Sequence, residues 1–191
     1  MEQSLPARGE VIMTGLGGGG ILTSGTLLAQ AATSKYQNVT WFPSYALSKR
    51  GGLCECTVVF SNDEIASPLL PQADVVIVAD PAQVKDFEGR VRPGGTMVVE
   101  SAGLQTKPKR EDIRVIEIPA IATAISISGT SQGANLVLLG ALVEATQIIP
   151  AELIQQEIEK SFTGKEKALK NNLKAFAEGR DIIKKLGVST R

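Results

Sequence analysis

A run of glycines near the start of the chain constrains the fold more than any other feature of this sequence. The residues Gly15–Gly20 contain a G-x-G-x-x-G pattern, which follows a predicted strand at Val11–Thr14 and precedes a predicted helix at Ile21–Thr33. Glycine adopts the backbone angles of a tight strand-to-helix turn and lets a ligand approach the backbone closely. The helix start then offers unpaired N–H groups and a partial positive charge to an anion. The pattern predicts a phosphate-binding loop or, alternatively, a turn that only packs the helix on the strand.

Strands and helices alternate along the rest of the chain. Further strands are predicted at Asn38–Phe42, Leu53–Phe60, Ala73–Asp80, Thr96–Glu100 and Ile113–Ile118, and further helices at Pro81–Arg90, Ala120–Ser128, Asn135–Thr146, Pro150–Phe162 and Lys165–Leu186. Pro43 is expected to stop the second of the six strands, because proline lacks the N–H that a sheet needs. The alternation predicts an α/β fold: a Rossmann-like, doubly wound, mostly parallel sheet with helices on both faces. No repeat or linker interrupts it, so residues 1–191 are predicted to form a single domain.

Composition excludes several classes of protein. Basic and acidic residues balance at 20 each and aromatic residues make up 4% of the chain, so nucleic acid is not an expected partner. No apolar run approaches the ~20 residues that span a bilayer, and no membrane partner is expected. The first ten residues, MEQSLPARGE, lack the apolar core of a secretory signal. Together with the low cysteine content, this predicts a cytoplasmic protein.

Histidine is absent, and the chain has only two cysteines, Cys54 and Cys56. Histidine-ligated zinc sites, Ser-His-Asp triads and Cys-His dyads are therefore excluded. Two cysteines also cannot supply a four-cysteine iron–sulfur cluster. No catalytic residue and no metal ligand is predicted in this chain, and any reactive cofactor is expected on another chain. Cys54 and Cys56 should share one face of a strand as small buried residues, since a disulfide between them is geometrically poor.

A dinucleotide fold of the NAD type needs an acidic residue about 20 positions after the glycine loop to bind the ribose. The second predicted strand instead ends in Val39-Thr40-Trp41-Phe42-Pro43, without an acid and without an arginine that would favour NADP. A stand-alone Rossmann-type nucleotide-binding oxidoreductase is therefore the second choice. Binding of NAD or NADP would favour it.

The segment Pro43–Gly52 carries a second set of candidate residues. Arg50 followed by Gly51 and Gly52 offers a guanidinium beside permissive backbone, which suits a carboxylate or a phosphate. A solvated loop with an ordinary salt bridge is the alternative. The ring of Tyr45 can equally stack on a ligand or be buried. The carboxylates Asp74 and Asp80 are interpreted as ends of a strand rather than as a catalytic pair.

Taken in order, these segments resemble the gamma subunit of the 2-oxoacid:ferredoxin (acceptor) oxidoreductases, nearest the 2-oxoglutarate and 2-oxoisovalerate branch. The family has a G-x-G-G-Q-G loop, then P-S-Y-G-P-E-x-R-G-G, then a C-x-C-like strand with S-x-x-x-I-x-S-P, and finally a G-x-x-x-x-x-N-x-x-x-L-G-A-L segment. The matching residues here are Gly15, Gly17, Gly18 and Gly20; Pro43, Ser44, Tyr45, Arg50, Gly51 and Gly52; Cys54, Cys56, Ser61, Ile65, Ser67 and Pro68; and Gly129, Asn135, Leu139, Gly140, Ala141 and Leu142. Two positions depart from the family. Gly19 replaces the glutamine, and Ala46-Leu47-Ser48 replaces Gly-Pro-Glu, so ligand contacts through those side chains are lost.

The resemblance implies a subunit of an enzyme that decarboxylates a 2-oxoacid and transfers the acyl group to coenzyme A, while ferredoxin accepts electrons. Thiamine diphosphate and iron–sulfur clusters are implied on companion subunits, and the isolated chain is expected to be inactive. Coenzyme A is the implied ligand of the glycine loop in this chain. The implied binding residues are Gly15, Gly17, Gly18, Gly19, Gly20, Ser44, Tyr45, Arg50, Gly51, Gly52 and Asn135. Asn135 can also serve only as a helix cap, and the whole chain can alternatively be an assembly scaffold whose glycine loop only packs.

Overall fold

Six strands form one sheet in the structure, a computed structural model that describes residues 5–45 and 52–187 and, at Tyr45, the backbone only. The strands are β1 (Arg8–Leu16), β2 (Asn38–Tyr45), β3 (Leu53–Ser61), β4 (Ala73–Val78), β5 (Val91–Glu100) and β6 (Arg114–Ile118). Their order across the sheet is β2-β3-β1-β4-β5-β6. The apolar run that forms β4 lies in the interior of the sheet, as its near-continuous burial requires.

The sheet is mixed but mostly parallel. β1, β4, β5 and β6 run side by side in the same direction. β3 is antiparallel to both β1 and β2. This hairpin follows from the short connection at residues 46–52, because a parallel pairing needs a crossover of about a dozen residues or more.

The prediction that Pro43 stops the second strand is wrong. β2 continues through Pro43 to Tyr45, and Pro43 lies opposite Cys56 of β3. β2 is an edge strand, so one side of its backbone has no neighbouring strand in the sheet. A proline is tolerated there because its missing N–H need not serve a second ladder.

The helices are α1 (Ile21–Ala32), α2 (Val84–Phe87), α3 (Ala120–Ser128), α4 (Ala134–Thr146), α5 (Ala151–Ser161) and α6 (Glu166–Leu186). Except for α2, these helices cover one face of the sheet. α1 packs on β2 and β3, and α4 packs on β4 and β5. α3, α5 and α6 pack on these two helices, and together they enclose the larger apolar core.

The other face has a thinner cover. α2, with a 3₁₀ turn on each side at Pro81–Gln83 and Glu88–Arg90, packs over the centre of the sheet. Val84 and Phe87 of α2 meet the strand residues Ile12, Val76 and Met97 in a second, smaller core. The predicted α/β fold with a mostly parallel, helix-covered sheet is confirmed.

The helices do not include a candidate for a membrane span. Within residues 5–45 and 52–187, no helix is both long enough and apolar enough to cross a bilayer.

Candidate functional site

A cleft of about 880 Å³ lies beside the glycine loop on the helix-covered side of the molecule. Three segments line it: the glycine loop, the turn between α3 and α4, and the turn between α5 and α6. The lining residues are Gly18, Gly19, Gly20, Thr23, Ser128, Thr130, Ser131, Gln132, Gly133, Asn135, Leu136, Phe162, Lys165, Glu166, Lys167, Ala168, Asn171 and Asn172. Hydroxyl, amide and ammonium groups are numerous in this set beside apolar groups, so the cleft offers a polar ligand many hydrogen-bond partners.

The loop backbone is built from angles that favour glycine. Gly18 has a φ of 93° and Gly20 a φ of 80°, which a residue with a Cβ rarely adopts. The N–H of Gly19 donates to the carbonyl oxygen of Leu16 over 3.0 Å, which closes the turn. Gly20 is then the N-cap of α1 and has no side chain to occupy the first N–H groups of that helix.

Gly15 and Gly17 hold the loop in place through close packing and a backbone hydrogen bond. A Cβ on Gly15 would lie 3.0 Å from the Ile21 side chain and 3.1 Å from the Ala79 side chain, so this glycine permits close packing of α1 on the sheet. The N–H of Gly17 donates to the carbonyl oxygen of Gly52 over 2.9 Å. The structure thereby brings the glycine loop and the last glycine of the second predicted segment together.

Asn135 connects the glycine loop to α4. Its side-chain amide donates to the carbonyl oxygen of Gly20 over 3.0 Å and to Ser24 Oγ over 2.9 Å. Ser24 Oγ donates in turn to the Asn135 carbonyl oxygen over 3.2 Å. The interpretation of Asn135 as an N-cap is wrong, because Gly133 caps α4 and Asn135 lies within the helix. Its side chain instead fixes the loop that lines the cleft.

Three helices begin at the cleft: α1 after Gly20, α4 after Gly133 and α6 after Lys165. None of the three N-cap residues makes a side-chain capping hydrogen bond, and the first turns of α1 and α4 contain no acidic residue. Each helix start carries a partial positive charge from its aligned peptide dipoles. The three positive ends therefore border one cavity, which Glu166 in the first turn of α6 also lines.

Two lysines add to this positive charge. Lys165 and Lys167 line the cleft at the start of α6, and both side chains are exposed. Neither forms an ion pair within the part of the chain that the structure describes. A cation at a helix start opposes the helix dipole, and Glu166, between the two lysines in the sequence, supplies one negative charge beside them.

Most of the chain matches a family of known proteins. A sequence profile described as pyruvate ferredoxin/flavodoxin oxidoreductase matches residues 10–182. The chain belongs to this family. The profile covers every strand but the start of β1, and it includes all the segments that line the cleft.

Two curated relatives define the type of subunit within the pyruvate ferredoxin/flavodoxin oxidoreductase family. The 2-oxoglutarate synthase subunit KorC of Methanocaldococcus jannaschii is 30% identical over 189 residues, which are 97% of this chain and 99% of KorC. The ketoisovalerate oxidoreductase subunit VorA of Methanothermobacter marburgensis is 34% identical over 176 residues, which are 92% of this chain but only 36% of VorA. The chain is a gamma-type subunit of the 2-oxoacid:ferredoxin oxidoreductases, as predicted.

One solved structure shows the same fold. The 2-oxoglutarate:ferredoxin oxidoreductase of Magnetococcus marinus, solved with 2-oxoglutarate, coenzyme A and succinyl-CoA bound, superposes with a TM-score of 0.84 at 24% identity. The match covers 97% of this chain and 32% of that chain. At this identity the likeness concerns the fold.

The family motif that predicted the second group of site residues is only partly described by the structure. Arg50 and Gly51 lie outside the described residues, as does the side chain of Tyr45. Ser44 lies on β2 and lines a different, smaller pocket on the other face of the sheet, together with Phe42 and Glu55. Within the described part of this segment, Gly52 is hydrogen-bonded to the glycine loop.

The remaining candidates from the sequence have structural explanations. Cys54 and Cys56 are buried free thiols on the α1 face of β3, and burial raises the pKa of the Cys56 thiol to about 12. Asp74 is the second residue of β4 and pairs with Arg92, although burial raises the pKa of its carboxyl group. Asp80 follows β4 and caps the next turn through the N–H of Ala82 at 3.1 Å. The two aspartates therefore lie near opposite ends of β4, as predicted.

No sequence motif predicted that the turn between α5 and α6 would belong to the site. Lys165, Lys167, Asn171 and Asn172 line the cleft, but no motif marked them. The signal was available in Thr163-Gly164-Lys165-Glu166-Lys167. A glycine followed by two lysines at a predicted helix start places positive charge where a helix ordinarily prefers negative charge.

Metal-ion chemistry finds no support in the described residues. No group of three or more cysteine, aspartate or glutamate side chains in residues 5–45 and 52–187 is arranged to hold a metal ion.

Proposed function

We propose that this chain is the gamma subunit of an enzyme that oxidatively decarboxylates a 2-oxoacid to an acyl-CoA, and that its cleft receives coenzyme A. The observation that carries the proposal is the convergence of three helix starts and two unpaired lysines around Gly18–Gly20. Coenzyme A carries its negative charge on a diphosphate and a ribose phosphate. Helix N–H groups and lysine side chains are the donors that phosphates require.

The size and lining of the cleft fit this ligand. Its volume of about 880 Å³ lies within the range of about 300–1,000 Å³ usual for cofactor sites. The backbone of Gly18 and Gly19 has no side chain that would hold a phosphate away, and Gly19 replaces the glutamine of the family pattern. Asn171, Asn172 and the hydroxyls of Ser131 and Thr130 supply neutral donors and acceptors for the rest of the molecule. Arg50, Gly51 and Tyr45 are included in the proposed binding site only because they match the family motif.

The remaining cofactors belong, in this proposal, to companion chains. Iron–sulfur clusters are placed there because two buried cysteines cannot supply four thiolate ligands. Thiamine diphosphate is placed there because the family resemblance implies it. The names of KorC and of the common gamma subunit of the pyruvate and ketoisovalerate oxidoreductases of Thermococcus litoralis describe subunits of larger enzymes. Residues 1–191 form a single gamma-type domain, the complex acts in the cytoplasm, and ferredoxin accepts electrons through it.

Purification of the native complex tests the subunit assignment. An affinity tag on this chain should retain companion chains that carry thiamine diphosphate and an iron–sulfur absorbance. The complex should form acyl-CoA from a 2-oxoacid with ferredoxin as acceptor, whereas the separated chain should be inactive. A homo-oligomer without such companions, especially one that binds NAD or NADP, would contradict the assignment.

Titration of coenzyme A into the assembled complex tests the cleft. The double variant Lys165→Gln/Lys167→Gln should raise the Kd of coenzyme A by about tenfold, because two charge-assisted contacts to phosphate are lost. Lys174→Gln is the matched control, since Lys174 is an exposed lysine of the same helix that does not line the cleft. The effect of the double variant should shrink at high salt. An unchanged Kd in an intact complex would exclude the two lysines from the site.

A further inference from the structure

One corner of the sheet is left uncovered by the described residues. It lies on the face opposite to α1 and consists of Leu16, Phe42, Leu53 and Leu69, which we call the open corner. These side chains are 48%, 41%, 45% and 63% exposed. Elsewhere this face is covered by α2 with its flanking turns and by Leu70 and Leu104.

The pairing of the strands places three of these residues on one face. Leu16 of β1 lies directly opposite Leu53 of β3. Phe42 of β2 lies opposite Thr57, which lies opposite Ile12 of the smaller core. Because directly paired residues point to the same side of a sheet, Leu16, Leu53 and Phe42 all face away from α1.

A groove of about 370 Å³ adjoins the exposed apolar side chains. Phe42 and Leu69 line it together with the ion pair of Glu55 and Arg90, whose atoms lie 3.2 Å apart. Sheets in α/β proteins are normally covered on both faces, since exposed apolar side chains forgo the free energy of burial. Along β3 this face carries Leu53, Glu55 and Thr57 in turn, so the ion pair of Glu55 and Arg90 lies between the Leu16–Leu53 pair and Phe42. Exposed apolar side chains that border polar ones are typical of a protein interface.

The relatives indicate what covers this corner. In KorC of Methanocaldococcus jannaschii the matching region is 99% of the chain, whereas in VorA of Methanothermobacter marburgensis it is 36%. The same domain therefore occurs alone and joined to a much longer polypeptide. A separate gamma-type chain must then bind, without a covalent link, a companion chain that corresponds to the polypeptide joined to the matching region in VorA.

We infer that the open corner is the docking surface for the companion chain that corresponds to the rest of VorA. This inference rests on the proposed function and adds the surface to it. Leu16 and Leu53 directly flank Gly17 and Gly52, whose backbones are hydrogen-bonded at 2.9 Å. A companion seated on the corner therefore lies against the back of the glycine loop. Its contact surface presents apolar side chains to Leu16 and Leu53 and polar groups to Glu55 and Arg90.

Charge substitution tests the docking surface. Leu16→Glu/Leu53→Glu should lower the retention of this chain by the tagged companion at least tenfold, because two charges would be buried without partners. Leu186→Glu is the matched control: Leu186 is a 58% exposed leucine at the end of α6 and should assemble like the unmodified chain. Thermal unfolding of the separate chains should show that both variants remain folded, since half-exposed positions tolerate the change.

Labelling gives a second measurement that does not need a disruptive variant. Leu69→Cys places a thiol at a 63% exposed position, whereas the native Cys54 and Cys56 are buried. A maleimide reagent should modify this thiol quickly in the separate chain and at least tenfold more slowly in the complex. Equal rates in the two forms would overturn the inference even if the glutamate variant failed to fold.

The outcomes separate this inference from the proposed function. If the unmodified chain does not retain companions that carry thiamine diphosphate, the proposed function fails and the inference with it. If the unmodified chain assembles and the glutamate variant assembles equally well, the docking surface alone is wrong. A self-dimer that the glutamate variant dissolves, with companion binding unchanged, would assign the corner to a second copy and also overturn the inference.

Discussion

The side-chain amide of Asn135 donates to the carbonyl oxygen of Gly20 and so joins two residues that lie 115 positions apart in the sequence. The contact is close: a Cβ on Gly20 would lie 2.7 Å from Asn135 Cγ. It joins the starts of α1 and α4, neither of which has an acidic residue in its first turn. The shape of the candidate phosphate loop therefore depends on a side chain from the far half of the chain.

Replacement of Asn135 tests this dependence. Asn135→Ala should lower the free energy of unfolding by about 1–3 kcal/mol, because the bonds to Gly20 and Ser24 are lost in a partly buried site. Asn135→Asp should raise the Kd of coenzyme A further than Asn135→Ala, since it adds a negative charge to the cleft. Urea unfolding and coenzyme A titration of the complex measure the two effects.

Asn171→Ala is the control for this pair. Asn171 lines the same cleft, but its side chain makes no hydrogen bond within the described residues. It should unfold like the unmodified chain. If Asn135→Ala proved as stable as Asn171→Ala, the connection between α1 and α4 would not shape the loop.

Two glycines set the distance between α4 and α6. A Cβ on Gly140 would overlap the carbonyl oxygen of Phe176, and a Cβ on Gly179 would lie 2.8 Å from the carbonyl carbon of Val137. Gly140→Ala or Gly179→Ala should each lower the free energy of unfolding by about 1–3 kcal/mol or more, because backbone must move to admit the methyl group. Denaturant titration measures the loss. Gly89→Ala, with nothing within 4 Å of its Cβ, should change stability by less than about 1 kcal/mol.

The sequence predicted the elements well but not the way in which distant elements meet. Short apolar segments of the sequence predicted all six strands, because the burial of strand residues depends on the local pattern of apolar side chains. The glycine pattern located the loop because a strand-to-helix turn needs those backbone angles locally. The antiparallel pairing of β2 and β3 could also have been predicted from the sequence, since the connection at residues 46–52 is too short for the crossover that a parallel pair needs.

The cleft required three segments that are far apart in the chain. Nothing near Gly20 indicates that Asn135 will bond to it, and nothing near Gly20 indicates that Lys165 and Lys167 will share its cavity. The buried hydrogen bond of 2.6 Å from Thr14 Oγ1 to Gln83 Oε1 is similar, because the two residues meet only once the sheet has formed. Such contacts follow from tertiary packing rather than from local pattern.

Glu100 is an example of a buried charge that the sequence analysis treated only as the end of a strand. Its side chain is fully buried, and it accepts hydrogen bonds from the N–H groups of Ala102 at 2.7 Å and Ile121 at 2.8 Å. Ile121 belongs to the first turn of α3, so the carboxylate also stabilises that helix start. Glu100→Ala should lower the free energy of unfolding by about 1–3 kcal/mol, because the N–H groups of Ala102 and Ile121 lose their acceptor in a part-buried site.

Urea unfolding measures this loss, and Glu117→Ala is the control. Glu117 pairs with the largely exposed Lys107 at 3.0 Å, and such a surface pair contributes less than about 1 kcal/mol. Glu100→Gln should fall between the two variants, since the amide keeps one acceptor oxygen. Equal stability of Glu100→Ala and Glu117→Ala would show that the two N–H groups find other partners.

The Cys56 thiol should make stability depend on alkaline pH. Burial, the first cause, and the neighbouring Cys54 and Glu55 raise its pKa from 9.0 to about 12. At pH values below the pKa that the Cys56 thiol has in the unfolded chain, the thiol is neutral in both states, so it does not make the free energy of unfolding depend on pH. Above that pKa the unfolded chain releases a proton that the folded chain retains, so the free energy of unfolding falls by about 1.4 kcal/mol per pH unit until the folded pKa is reached.

Unfolding in urea at about pH 8 and about pH 10 measures this slope. Cys56→Ala lacks the thiol and should lose less stability between the two pH values than the unmodified chain. Val58→Ala is the control, because Val58 is a fully buried residue on the same face of β3 and does not titrate. It should be less stable than the unmodified chain by the same amount at both pH values. A slope that is unchanged in Cys56→Ala would mean that the folded chain already ionises this thiol near its ordinary pKa.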